Sequence, residues 1–199
     1  MVSDMLTPLE VYVKNNALNY GAHGSDHLFR VWKIAKKIGI KEGANLKILE
    51  PMALLHDIIR PEKENDNCHA KYSSQMAQSV LRNLNYTEDE IKLIVSGILS
   101  HSIHCDSRIE PDSLEAKVLF DADKIEAVGP IGISRWFLTM SKKDFSVEVI
   151  AKMYLGTIND FKLTHKMLYT KTGNKLIKDG LKFSTIFMKR LLQELKQYS

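Results

Sequence analysis

The chain has 199 residues, of which 26% are charged and 44% hydrophobic, and its formal net charge is 28 − 24 = +4. That is ordinary for a globular protein large enough to bury a core, and too weakly basic to point to polymeric nucleic acid. No apolar run approaches the ~18 residues of a membrane span, Met1 to Glu10 lacks the build of a signal peptide, and two cysteines (Cys68 and Cys105) make no disulfide framework, so a cytoplasmic protein with no membrane partner is expected.

Helix signals then follow one another along the chain. Thr7-Pro8-Leu9-Glu10 is a capping box with Pro at the first helical position. A second helix is predicted from Ser25 or Asp26 to Gly39, with His27, Val31, Ile34 and Ile38 on one stripe. A third spans about Asn45 to Asp57, kinked or started by Pro51, and Pro61 opposes its continuation. A fourth covers about Cys68 to Leu84. Thr87-Glu88-Asp89-Glu90 is a second capping box, and Asp112-Ser113-Leu114-Glu115 is a similar cap for a helix running to Gly129. Further helices are predicted over about 131–141, 145–169 and 173–197. Alternating strand patterns are nearly absent, and no repeat, low-complexity tract or linker divides the chain. The expectation is one all-α domain over 1–199.

Histidines and aspartates occupy positions where apolar residues belong. His27 shares the stripe of Val31 and Ile34, and His56-Asp57 follows the run Ala53-Leu54-Leu55. His69 shares a face with Ser73 and Ala77, while His101 falls on the stripe of Ile94 and Ile98. Asp121 lies with Leu114, Val118 and Ile125, and Asp123 with Ala116, Phe120 and Ala127. A buried carboxylate is costly unless compensated, and one divalent cation would compensate several such groups at once.

The ordered set formed by Asp26-His27-Leu28-Phe29-Arg30-Val31, Ala53-Leu54-Leu55-His56-Asp57-Ile58, Ile98-Leu99-Ser100-His101-Ser102 and Leu114-Glu115-Ala116-Lys117-Val118-Leu119-Phe120-Asp121-Ala122-Asp123-Lys124-Ile125-Glu126-Ala127-Val128-Gly129 resembles the HD-domain phosphohydrolases. The stretch up to Gly129, followed by Ile131-Gly132-Ile133-Ser134-Arg135, is similar to a small bacterial and archaeal subfamily. That likeness extends to Tyr169-Thr170-Lys171-Thr172-Gly173. The resemblance implies a helical bundle with a metal-binding core over about 20–140 and C-terminal helices over about 141–199 packing on it.

It also implies metal ligands at His27, His56, Asp57 and one aspartate of Asp121-Ala122-Asp123. On a regular helix those two carboxylates point about 200° apart, so they are not expected to share an ion. The Ala122-Asp123-Lys124 context favours Asp123, leaving Asp121 to receive a histidine N–H or to pair with Lys117. The metal is one of Mn, Fe, Mg, Zn, Co or Ni, with one ion favoured over two. It would activate a water for attack on a phosphorylated small molecule, most readily a nucleotide. Lys124, Arg30, His69 and His101 are the candidates for steadying the phosphate oxygens.

Three alternatives stand beside this reading: a sensing module without turnover, a dinuclear phosphodiesterase that uses His69 and His101 as ligands, and a di-iron oxygenase. His23 is expected near the pocket mouth or in a surface loop, His104 and His165 at the surface, and Cys68 and Cys105 as small apolar filler. Oligomeric state, a homodimer included, is not legible.

Overall fold

The computed structural model describes residues 7–18, 21–59, 68–102, 109–163 and 168–198, with backbone alone at 160–163. His104, His165, Cys105 and Pro61 lie outside the described residues. Nine helices and no strand occur among the described residues: α1 (Pro8–Asn16), α2 (Ser25–Glu42), α3 (Leu46–Leu55), α4 (His69–Asn83), α5 (Glu88–Ser100), α6 (Leu114–Glu126), α7 (Gly129–Met140), α8 (Val147–Leu163) and α9 (Lys171–Gln197). No helix among them is long and apolar enough to cross a membrane.

The helix starts follow from local chemistry. Thr7 and Thr87 each form a complete capping box, with Glu10 and Glu90 reaching back to the cap backbone. Asn45, Ser113 and Thr170 cap α3, α6 and α9 by accepting from Lys47, Ala116 and Gly173. Pro51 sits inside α3 without ending it.

Three expectations are corrected. α2 does not stop at Gly39. The helix continues to Glu42 and ends at Gly43, whose φ of 79° is the left-handed conformation of a helix terminator. Gly39 is instead a packing residue, because a side chain there would collide with Leu49 of α3. The penultimate helix does not reach residue 169, and the last starts at Lys171, because the backbone of Tyr169 and Thr170 is bound by Asp121. Cys68 is not apolar filler but disulfide-bonded, at the N-cap of α4.

Two apolar clusters stabilise the bundle. The larger draws on α1 to α6, with Leu28, Val31, Ile38, Leu49, Met52, Leu55, Leu81, Ile94, Ile98 and Leu119 sealed from solvent. At about 1.5–3 kcal/mol for each large side chain fully buried, this cluster dominates the favourable term in folding. The smaller cluster joins Phe120, Ile133, Ala151, Tyr154, Ile177, Leu181 and Met188 from α6 to α9. α6 belongs to both: Val118, Leu119 and Ala122 face the first cluster and Phe120 faces the second. It is therefore held on two sides, and the carboxylates it carries have little freedom to move.

Candidate metal centre

Five helices deliver the polar side chains to one place. His27 lies in the first turn of α2, His56 and His101 are the C-cap residues of α3 and α5, His69 opens α4, and Asp123 projects from the last turns of α6. Asp57 follows His56 directly. His27, His56, Asp57 and His101 are all buried, and Asp123 is partly open.

The donor spacings suit a shared cation. His27 Nε2 is 3.8 Å from Asp57 Oδ2 and 3.7 Å from Asp123 Oδ1, and His56 Nε2 is 4.0 Å from the same Asp123 oxygen. Two donors each about 2.1 Å from one ion stand roughly 3–4.2 Å apart, depending on the angle between them. Among the described residues, His27 Nε2 and His56 Nε2 are buried without a hydrogen-bond partner. Buried polar atoms are otherwise almost always satisfied, so these nitrogens fit the donor set of a cation. A second group adjoins the first. Asp57 Oδ1 is 3.2 Å from His69 Nε2 and 3.5 Å from His101 Nε2, and those two nitrogens are 3.2 Å apart. His27, His56 and Asp57 thus form one potential ligand set and Asp57, His69 and His101 another, with Asp57 common to both.

The rings are oriented by their own helices. His56 Nδ1 lies 2.8 Å from the carbonyl of Ala53, and His101 Nδ1 lies 2.5 Å from that of Ile98. A carbonyl can only accept, so each Nδ1 carries the proton and each Nε2 presents its lone pair to the site. Burial pushes the His56 imidazole down to about 3, which keeps it neutral and able to ligate. Burial pushes the Asp123 carboxyl up, but Lys124 and the imidazoles of His56, His27 and His101 outweigh it and hold the group well below its ordinary range. It is therefore an anion at neutral pH.

Glu126 is a site residue that stripe analysis missed. It is 3% exposed and stands one turn after Asp123 on α6. Its Oε1 accepts from Arg30 Nε at 2.8 Å, and its Oε2 accepts from Arg135 Nη1. The same Oε2 is 3.3 Å from His27 Nδ1, within ion-pair reach though outside hydrogen-bond alignment. The signal that could have revealed Glu126 is its i+3 relation to Asp123, which places both on one helix face.

The other predicted residues divide into those at the site and those beside it. Lys124 Nζ is bound to Asp123 Oδ2 at 2.8 Å and lies over the Phe120 ring. Arg30 bonds Glu126 and also Asp26 at 3.0 Å, so it is already paired with acids. His23 borders the centre, with its ring 5.8 Å from that of His27. Asp121 points elsewhere. Its carboxylate accepts from Tyr169 N and Thr170 N, each at 2.8 Å, and from Thr170 Oγ1 at 2.6 Å. Those bonds take up the role expected of a histidine N–H or of Lys117, and they anchor the start of α9 to α6.

Residues 24–128 match the model of the HD domain, a span that contains every residue of the centre from His27 to Glu126. The chain belongs to the HD-domain family. It is similar to the Bacillus subtilis protein YpgQ, at 27% identity over 174 residues that cover 87% of this chain and 84% of the relative. Among solved structures it resembles a predicted HD superfamily hydrolase from an uncultured Thermotogales bacterium, at 26% identity and a TM-score of 0.66, covering 94% of this chain and 91% of that one. It also shares the fold of YpgQ crystallised with ADP, at 24% identity and a TM-score of 0.71, covering 94% and 92% of the two chains. The His/Asp cluster of this HD domain is consistent with binding a divalent metal.

Proposed function

We propose that this protein is a divalent-metal-dependent phosphohydrolase that cleaves a phosphoester or phosphoanhydride of a nucleotide. The observation that carries the reading is the pair of buried, unpartnered nitrogens, His27 Nε2 and His56 Nε2, facing the Asp57 and Asp123 carboxylates. Two neutral imidazoles and two carboxylates neutralise a dication and leave coordination positions open. A cation held there supplies Lewis acidity toward a phosphoryl oxygen and lowers the pKa of a water.

The chain's own residues then have definite tasks. His27, His56, Asp57 and Asp123 hold the cation. Glu126, itself fixed by Arg30 and Arg135, sets the orientation of His27. Lys124, 2.8 Å from Asp123, keeps that carboxylate ionised and is the lysine assigned to the phosphate oxygens. His69, partly open, donates an N–H bond to the phosphate. His101, whose Nδ1 proton is held by the Ile98 carbonyl, acts once its Nε2 has taken up a proton, which it passes to the leaving oxygen as the P–O bond breaks. The structure of YpgQ with ADP supports a nucleotide as the substrate class.

A second reading is favoured by one observation: Asp57 offers its two oxygens to two separate donor sets. Under it, His69 and His101 ligate a second ion bridged by Asp57, as in a dinuclear phosphodiesterase.

The test is a nucleotide and phosphoester panel with Mn, Fe, Mg, Zn, Co and Ni, combined with metal counting on wild type and His101→Ala. Turnover that chelation abolishes and metal restores is expected. One ion in both proteins, with a rate loss of roughly 10²–10⁴ in the variant, supports the mononuclear roles. Two ions falling to one supports the bridged centre. Metal-loaded protein that binds nucleotides and leaves the whole panel intact would make it a sensing module.

A further inference from the structure

One face of α9 carries an apolar cluster that is exposed among the described residues. Phe183, Ile186 and Phe187 are 45%, 59% and 42% exposed, and the two rings stack with centroids 6.3 Å apart. Large apolar groups gathered within one turn of an exposed helix mark a contact surface more often than scattered single ones do. The opposite face is buried through Ile177, Leu181, Ser184 and Met188, so this helix cannot rotate to hide the cluster.

The charges on the same face have a defined order. Lys175 and Asp179 precede the cluster, and Arg190 and Glu194 follow it, all of them outside the core. At about 100° per residue these four and the three apolar residues fall within an arc of about 120°. The signs read plus, minus, apolar, plus, minus. Reversing the helix end for end about the midpoint between positions 184 and 185 brings Lys175 opposite Glu194, Asp179 opposite Arg190, and Phe183 opposite Ile186. Each of these four charges meets its opposite, Phe183 meets Ile186, and Phe187 falls opposite the aliphatic stem of the exposed Lys182.

We propose that α9 is the two-fold interface of a homodimer, packed antiparallel against α9 of a second copy. A closed two-fold contact uses one patch on both partners and so requires self-complementarity, which this face has. An unrelated partner would not require it. A parallel, in-register pairing would set each charge against its own kind. Exposed ion pairs contribute little stability, but like charges in contact penalise the wrong orientation. The apolar cluster would then supply the affinity and the charge order the register. Arg190 and Glu194 already pair within the free helix at 2.7 Å, so the dimer would extend an existing pair into a four-charge network at each end.

Sedimentation equilibrium of the full chain from about 1 to 100 μM tests this. Wild type is expected to be dimeric, and Ile186→Glu monomeric. Asp179→Arg sets arginine against Arg190 twice per dimer, and Arg190→Asp sets aspartate against Asp179 twice, so each alone should weaken association by about tenfold or more. An equal mixture of these two variants restores both pairs and should recover dimers. Circular dichroism and metal content should be unchanged throughout, since the metal centre involves none of these residues. A wild type that stays monomeric to 100 μM, or a mixture that associates no better than the variants alone, would overturn the proposal.

Discussion

Asp121→Ala separates the two aspartates of Asp121-Ala122-Asp123. The substitution removes the acceptor of three bonds: Tyr169 N at 2.8 Å, Thr170 N at 2.8 Å and Thr170 Oγ1 at 2.6 Å. Thr170 Oγ1 in turn caps Gly173 N at 2.9 Å, so the first turn of α9 loses its fixed reference. Each donor left without a partner in a buried site costs about 1–3 kcal/mol, and the side-chain hydroxyl can rotate to recover part of its share. The sum is about 4 kcal/mol, a large fraction of the roughly 5–15 kcal/mol that holds a domain together. For a chain of this size that lowers the melting temperature by about 10 °C. The assay is thermal unfolding of loaded and chelated protein, with metal content measured by elemental analysis. Metal content should stay at the wild-type level while both forms melt early. Loss of metal with the chelated melting temperature unchanged would refute the anchoring role and return Asp121 to the metal centre.

Two further outcomes follow from the same geometry. Glu126→Gln keeps the shape but removes the negative charge beside His27 Nδ1, so metal affinity should fall about 10–100-fold with the helical content intact; an unchanged metal titration would show that His27 needs no such support. His56 is pushed down to about 3 by burial, whereas an unfolded histidine titrates near 6.5. The unfolded chain therefore binds the extra proton between those values, and the chelated protein should lose about 1.4 kcal/mol per pH unit to this group as pH falls below about 6.5. Urea midpoints at pH 7, 6 and 5 check this, and His56→Asn should show the shallower slope; equal slopes in the two proteins would contradict it.

Local chemistry made much of the fold legible. Thr7 and Thr87 announce their helices because a capping box closes within four residues. His27, His56, Asp57 and His101 stood out because a polar group on an apolar stripe must be buried, and in the structure they are. A stripe indicates only that a residue faces inward, not what it meets there. Asp121 and Glu126 illustrate the limit: both are buried on α6, yet Asp121 meets backbone 48 residues later and Glu126 meets His27 and two arginines. The end of α8 and the start of α9 were misplaced for the same reason, since the bonds that hold residues 169 and 170 outside a helix come from another element. Gly39 read as a stop because its purpose, the close approach of Leu49, is likewise a tertiary fact.

The placement of the histidines at helix ends has an electrostatic corollary. His56 and His101 stand where α3 and α5 finish, and His27 and His69 stand where α2 and α4 begin. Aligned peptide dipoles leave about half a negative charge at the finish of a helix and about half a positive charge at its start. The centre therefore has two poles made of main chain alone: one attracts a cation and the other an anion. No side-chain substitution removes that polarity. A variant stripped of a ligand should retain weak, salt-sensitive attraction for both a metal ion and an anionic phosphate, because the scaffold itself is charged to receive the pair.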